Sequence, residues 1–439
     1  MGSGKTSSII NKMFSITNHD ENFIFITPFL SEIERIIKHN DEMCQFKQPF
    51  NNGSGKLEDL HKLLANGENI ATTHALFLKA TDETIQLIHE GGYILILDEV
   101  LDVLHNFNEV VPKDKRITYK KSAKDEDGDF EWLINNGYIK SDENYNVQWH
   151  GTATSNFHYS EVKRLAENNT LRCIDNVLFW EYPQEVFKAF SEIYVLTYLF
   201  EGSILDKYFQ MYNLHYKKVS SEKVGHNFQL CNYSDDLKVK QQFAKLINVY
   251  EGSMNSIGNK RSSFSVSWLK NANKDRLNEI KKTMRNYKDS VKAKSSNIMW
   301  TTTKQNRIDE KLSTVKGFRF TKQLTSGDKK LPEKELNKLR CFVPCNARAT
   351  NDFADRTVLL YLINRFLNPE VKKYFAKRGF PLDEDQFATS EMIQWIWRSA
   401  IRKGKPIHLF VPSSRMRGLL YNWLGVQPSR RTDPVRIAS

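Results

Sequence analysis

Two short runs in this chain carry residue types suited to phosphate chemistry. The first is Gly2-Ser3-Gly4-Lys5-Thr6, the second half of a phosphate-binding loop. In such a loop the backbone N–H groups of the glycine-rich stretch wrap a nucleotide's phosphates, the lysine reaches the β/γ-phosphates and the hydroxyl ligates Mg²⁺. Gly2, Ser3, Gly4, Lys5 and Thr6 are therefore the candidate ATP-binding residues. Thr6 to Met13 reads as a helix whose positive N-terminal end faces the anion. The pattern's first glycine, and the strand that should precede it, fall before Met1, so the first strand of this sheet is expected to be missing. The second run is Tyr93-Ile-Leu-Ile-Leu97 followed by Asp98-Glu99. An uninterrupted apolar stretch reads as a parallel strand buried on both faces. Two acids at its end form a Walker B arrangement, in which Asp98 holds Mg²⁺ with Thr6 and Glu99 orients or deprotonates the attacking water.

The elements around these runs alternate. Strands are expected at Asn22–Thr27, Ile70–Thr73 and Glu192–Thr197. Helices are expected from Ser31 to His39, Leu57 to Leu64 and Thr81 to His89. Alternation of this kind implies a doubly wound parallel sheet with its ligand at the strand C-termini. Asn51-Asn-Gly-Ser-Gly-Lys56 mimics the phosphate loop but lacks a following Ser or Thr and reads as a plain loop. Residues 111–151 are rich in Lys, Asp, Asn and Gly and predict an exposed insertion carrying a hairpin or a helix. Residues 201–296 read as a basic, helical connector. A second β–α series follows, with strands at Asn297–Thr301, Arg340–Val343 and Pro406–Val411 and helices at Asp355–Phe366, Ser390–Arg402 and Ser413–Leu424. The expected division is 1–200, 201–296 and 297–439.

Composition narrows the class. A chain of 439 residues can bury two or three cores. Its apolar runs fall short of the ~20 residues a membrane span needs, and its N-terminus lacks a signal-peptide layout. Five scattered cysteines (44, 173, 231, 341 and 345) have no zinc-site spacing and point to a reducing cytoplasm, that of the host cell if the chain is phage-encoded. A formal net charge of +12 suggests a polyanionic partner, and nucleic acid is the usual one. Much of that charge lies between Lys270 and Lys294. Trp149, Trp268 and Trp300 are expected to pack in cores rather than stack on bases.

Taken together, Gly2–Thr6 and Asp98-Glu-Val-Leu101 resemble motifs I and II of superfamily 2 DNA helicases of the viral or bacteriophage replication type, with a Walker B neighbourhood similar to that of herpesviral origin-binding helicases. Leu101 departs from the Asp or His of the DEAD and DEAH subfamilies. The resemblance implies two RecA-like lobes with parallel sheets plus insertions, driven by ATP and Mg²⁺. Ile26-Thr-Pro28 resembles motif Ia and Thr72-Thr-His74 motif Ib, which implies nucleic-acid contacts for Thr27, Thr73 and His74. Arg348 and Thr350 occupy the place of motif V and would touch nucleic acid as well. Gln394-Trp-Ile-Trp-Arg398-Ser-Ala-Ile-Arg402 resembles motif VI, although Trp397 replaces its glycine and the second Arg lies one position late. On one helix Gln394, Arg398 and Arg402 would form a single polar stripe, and the resemblance implies that the arginines reach the γ-phosphate. The expected function is a nucleic-acid-dependent ATPase in DNA replication, acting on single-stranded or duplex DNA, with other replication proteins as further partners. An accessory nucleic-acid binder without hydrolysis and, last, a packaging motor are the alternatives.

Overall fold

In the first half, Phe23-Ile-Phe-Ile-Thr27 and Ile94-Leu-Ile-Leu-Asp98 are buried at every position, as strands covered on both faces must be. The computed structural model describes residues 4–15, 21–38, 45–51, 53, 55–120, 125–151, 157–234, 237–318, 330, 340–346 and 352–427. The chain divides into two units. The N-terminal unit comprises Thr6–Lys217 and Asn368–Leu382; the C-terminal unit comprises Lys218–Leu367 and Asp383–Ser439, with Met1–Lys5 grouped with it.

The N-terminal unit is built on a five-stranded sheet: β1 (Phe23–Thr27), β2 (Phe46–Lys47), β3 (Asn69–Thr73), β4 (Ile94–Asp98) and, after an insertion, β10 (Glu192–Leu196). The order is β10-β4-β1-β3-β2 and every pairing is parallel. The register sets Thr27 beside Thr73 and Asp98 beside Leu196. Thr81 caps the helix Asp82–Glu90 through a capping box with Thr84. The insertion holds β5 (Leu104–Asn106), the hairpin β6 (Ile139–Ser141) and β7 (Val147–Trp149), and β8 (Leu171–Ile174) and β9 (Val177–Glu181). It is more than an exposed excursion: Phe107, Phe130, Leu133, Val162, Leu165 and Leu178 give it a core of its own.

The helix Pro369–Lys377 belongs to this unit despite its place in the sequence. Its Tyr374 and the following Arg378 reach Glu181, which is 1% exposed. Arg172 and Arg378 lie 3.1 and 3.0 Å from the two carboxylate oxygens, and the hydroxyls of Tyr212 and Tyr374 donate to it as well. A carboxylate this deep is tolerable only because four donors satisfy it.

The C-terminal unit has β11 (Val219–Val224) and β12 (Asn227–Asn232) as an antiparallel hairpin. Its sheet consists of β13 (Ile247–Val249), β14 (Ile298–Thr301), β15 (Val358–Tyr361) and β16 (Ile407–Phe410) in the order β13-β16-β15-β14, all parallel. Three sequence expectations change here. Residues 218–296 are part of this unit, because β13 pairs with β16 and the helix Lys274–Ser290 sinks Ile280, Met284 and Tyr287 into the same core as Trp300 and Phe410. Residues 355–366, read as a helix, contain β15, whose apolar run is buried at every position. Residues 340–343 join the sheet only as a bridge from Phe342 to Trp300. Trp300 is wholly buried, as expected, while Trp149 and Trp268 are half-buried. Among the described residues no helix is long and apolar enough to cross a membrane.

Candidate nucleotide site

Parallel strands deliver their last residues to one edge of a sheet, and in the N-terminal unit that edge collects Thr27, Thr73 and Asp98. Asp98 is buried. The Thr27 hydroxyl donates to its Oδ2 at 3.2 Å, and His74 Nε2 lies 3.1 Å from its backbone oxygen, a bond that requires the proton on Nε2. Burial pushes the Asp98 carboxyl up to about 7; Glu99 and Glu32 push the same way, against the hydrogen bond from Thr27 and the charge of Arg35. A cation bound beside it would favour its ionised form. Glu99 follows at φ 67, in the left-handed region, and its N–H donates to Leu196 O at 3.4 Å. A non-glycine residue held there costs roughly 1–3 kcal/mol, a strain that clusters at functional sites.

The helix Lys5–Ser15 begins directly at the phosphate-loop residues, with Gly4 at φ 76. The left-handed conformation suits glycine, and the Phe228 ring packs against it where a β-carbon would stand. Lys12 fastens the helix to the start of β10, 3.5 Å from Glu192 and bonded to the Tyr194 hydroxyl. Gly2 and Ser3 lie outside the described residues, as do Arg348 and Thr350.

The sequence missed Glu32 and Arg35, an ion pair at 3.3 Å on the helix Leu30–Lys38. The signal was available: a helix that starts three residues after a strand ends turns its first residues back to that strand's edge. The residues expected at nucleic acid sit otherwise. Thr27 is wholly buried against Asp98, which leaves it no surface toward a strand. Thr73 caps the helix His74–Phe77 by accepting from Leu76 N–H at 3.3 Å, and His74 is half-buried on Asp98.

In the C-terminal unit the expected stripe breaks. The helix runs Glu384–Ile396 and stops before Arg398. Arg398 is buried in the turn that follows, Arg402 is exposed on a 3-10 turn (Ala400–Lys403), and Gln394 bonds Ser390 within the helix at 3.1 Å. The three residues therefore do not lie on one helix. Thr301 and Thr302 at the end of β14 and Tyr361 at the end of β15 are buried with hydroxyls that find no partner among the described residues.

A divalent cation suits the donors of the N-terminal edge. Mg²⁺ is commonly held by one or two carboxylates, with substrate phosphates and water completing its shell, and Asp98 is a carboxylate whose pKa is raised first by burial and then by the neighbouring Glu99 and Glu32.

Comparison with known proteins places the chain. The family described as "YonV C-terminal Rossmann-like domain" matches residues 241–424, a span that contains all four strands of the second parallel sheet. The SPbeta prophage-derived protein YonV of Bacillus subtilis strain 168 is 36% identical over 440 residues, covering 97% of each chain. A solved structure of apo XPD aligns over 93% of this chain and 91% of its own at 12% identity, with a TM-score of 0.48, too distant a likeness to bear on function. At that identity and coverage by the prophage protein, this chain belongs to the YonV family.

Proposed function

We propose that this chain is a nucleic-acid-dependent ATPase, a helicase or translocase of phage DNA replication. The observation that carries the reading is Asp98: a buried carboxylate with its pKa near 7 at the end of a parallel strand, followed by Glu99 in a strained backbone. Together with Gly4-Lys5-Thr6 at a helix start, these are the parts of a magnesium-nucleotide site. The prophage origin of the relative supports the phage setting.

On this reading Gly2–Thr6 cradle the phosphates, Lys5 pairs with the β/γ-phosphates, and Thr6 and Asp98 hold Mg²⁺. When bound, the ion neutralises charge that develops on the phosphate oxygens. Glu99 accepts a proton from the attacking water or orients it. Thr27 and His74 hold the Asp98 carboxylate and the strand end in place.

Steady-state ATP hydrolysis with and without single-stranded DNA tests the proposal. The expected result is DNA-stimulated hydrolysis that falls at least ~100-fold in Lys5→Ala and in Glu99→Gln. Hydrolysis that survives both substitutions, or none in the unaltered chain, would refute it.

A further inference from the structure

Charge is distributed very unevenly between the two units. The N-terminal unit carries 24 Lys and Arg against 33 Asp and Glu, the C-terminal unit 40 against 19. The whole basic excess of the chain therefore belongs to the C-terminal unit, and one element concentrates it in a describable geometry.

That element is the helix Lys274–Ser290, capped by Asn273, whose side chain accepts from Arg276 N–H at 2.9 Å. Ile280, Met284 and Tyr287 fix its rotation by facing the core. With that face set, Lys274, Lys281, Arg285 and Lys288 recur at i, i+7, i+11 and i+14, within an arc of about 60° and along about 21 Å of axis. Lys282 is exposed on one flank of the row, the flank on which Asp275, Glu279 and Asp289 also lie. Lys292 and Lys294 continue it past the helix end. Lys288 leans onto the backbone of Gly317, which brings the exposed Lys316 to the same end.

These cations are not neutralised from within. Lys288 meets Asp289 at 3.1 Å, but Lys274, Lys281, Lys282, Arg285, Lys292 and Lys294 make no ion pair among the described residues. Like charges three and four positions apart on a helix repel one another. A fold that keeps such a row on a rigid, well-packed helix presents it to an external polyanion.

We propose that this face of Lys274–Ser290 is the surface by which the C-terminal unit grips the phosphate backbone of DNA, without reading its sequence. The inference rests on the nucleic-acid half of the proposed function and does not require hydrolysis. Phosphates bound this way release counterions, so affinity falls with salt by a log–log slope of about 0.7 per contact on a single strand and about 0.9 on a duplex.

The test is fluorescence anisotropy of the full chain on a labelled oligo-dT strand and on a duplex of matched length, across a salt series. For Lys281→Gln/Lys282→Gln/Arg285→Gln the slope should become shallower by about 2 on the single strand or nearly 3 on the duplex; the arm that shows the change identifies the form of DNA held. Lys281→Arg/Lys282→Arg/Arg285→Lys should restore it. Lys56→Gln/Lys140→Gln/Lys188→Gln, all exposed on the N-terminal unit, should leave it unchanged. An unaltered slope in the helix variant, or an equal loss in the control, would overturn the proposal. A chain that hydrolyses no ATP but shows the slope change would refute the ATPase reading and keep this one; DNA-stimulated hydrolysis with no slope change would do the reverse.

Discussion

The two parallel sheets are built alike and end in opposite chemistry. In the N-terminal unit the strand ends supply Asp98 and Glu99, with Glu32 adding to the negative field around a buried carboxyl. In the C-terminal unit they supply the hydroxyls of Thr301, Thr302 and Tyr361 and the amide of Asn364, which donates to Arg261 O and Ser263 O at 2.8 and 3.1 Å. The surfaces differ in the same sense, one unit acidic and the other strongly basic. A unit with an acid excess repels a polyanion yet suits a cation-bound nucleotide, because its buried carboxylate gains most from the ion. A unit with an excess of arginine and lysine attracts nucleic acid at long range. On the proposed reading, the acidic unit would take the cation-bound nucleotide and the basic unit the nucleic acid.

The sharpest way to break the comparison is to unfold one side of it. Glu181→Ala leaves the half-buried Arg172 and Arg378 without the buried carboxylate that pairs them, and removing one partner of such a cluster costs up to about 3–5 kcal/mol. Urea denaturation should show that loss in the N-terminal unit, and oligo-dT binding should persist where the C-terminal unit remains folded. A cost below ~1 kcal/mol would mean that the cluster is not holding the helix Pro369–Lys377 in place.

A second substitution acts in the opposite direction. The folded pKa of Asp98 lies above its unfolded value, so between about pH 4 and pH 7 the folded state retains a proton that the unfolded chain releases. Wild-type stability therefore declines through that window as pH rises. Asp98→Asn removes the penalty and should stabilise the magnesium-free protein by about 4 kcal/mol at pH 8, with the gain vanishing near pH 4. Thermal melts at the two pH values, with and without Mg·ATP, check this; ligand should raise the wild-type melting temperature and leave the variant's unmoved. A smaller effect is expected for Thr27→Val, which deletes the donor to Asp98 Oδ2 and should cost about 1–2 kcal/mol at pH 8 and less at pH 5, where Asp98 is protonated.

Much of the sheet architecture was legible in the sequence. β1, β4, β10 and β14 are mainly apolar runs with a polar stop, β3 and β16 are shorter runs within the same β–α alternation, and Asp98-Glu99 stood out because two acids end the β4 run. β15 was lost because Val358-Leu-Leu-Tyr-Leu-Ile363 is apolar throughout, and periodicity alone cannot separate a doubly buried strand from a buried helix. β13 is three residues long and gains its meaning only from pairing with β16. The Gln394/Arg398/Arg402 stripe presumed a helix that ends at Ile396. The Glu181 cluster joins residues 172, 181, 212, 374 and 378, and nothing local in the sequence announces a contact that long-range.

Division of labour between the units is the central claim, and DNA-stimulated ATP hydrolysis measured beside DNA affinity tests it most directly. Glu99→Gln should abolish hydrolysis and keep the affinity and salt slope of the unaltered chain; Lys281→Gln/Lys282→Gln/Arg285→Gln should keep basal hydrolysis, lose DNA stimulation and show the shallower salt slope. Loss of both activities in either variant, with the fold intact by circular dichroism, would contradict the account.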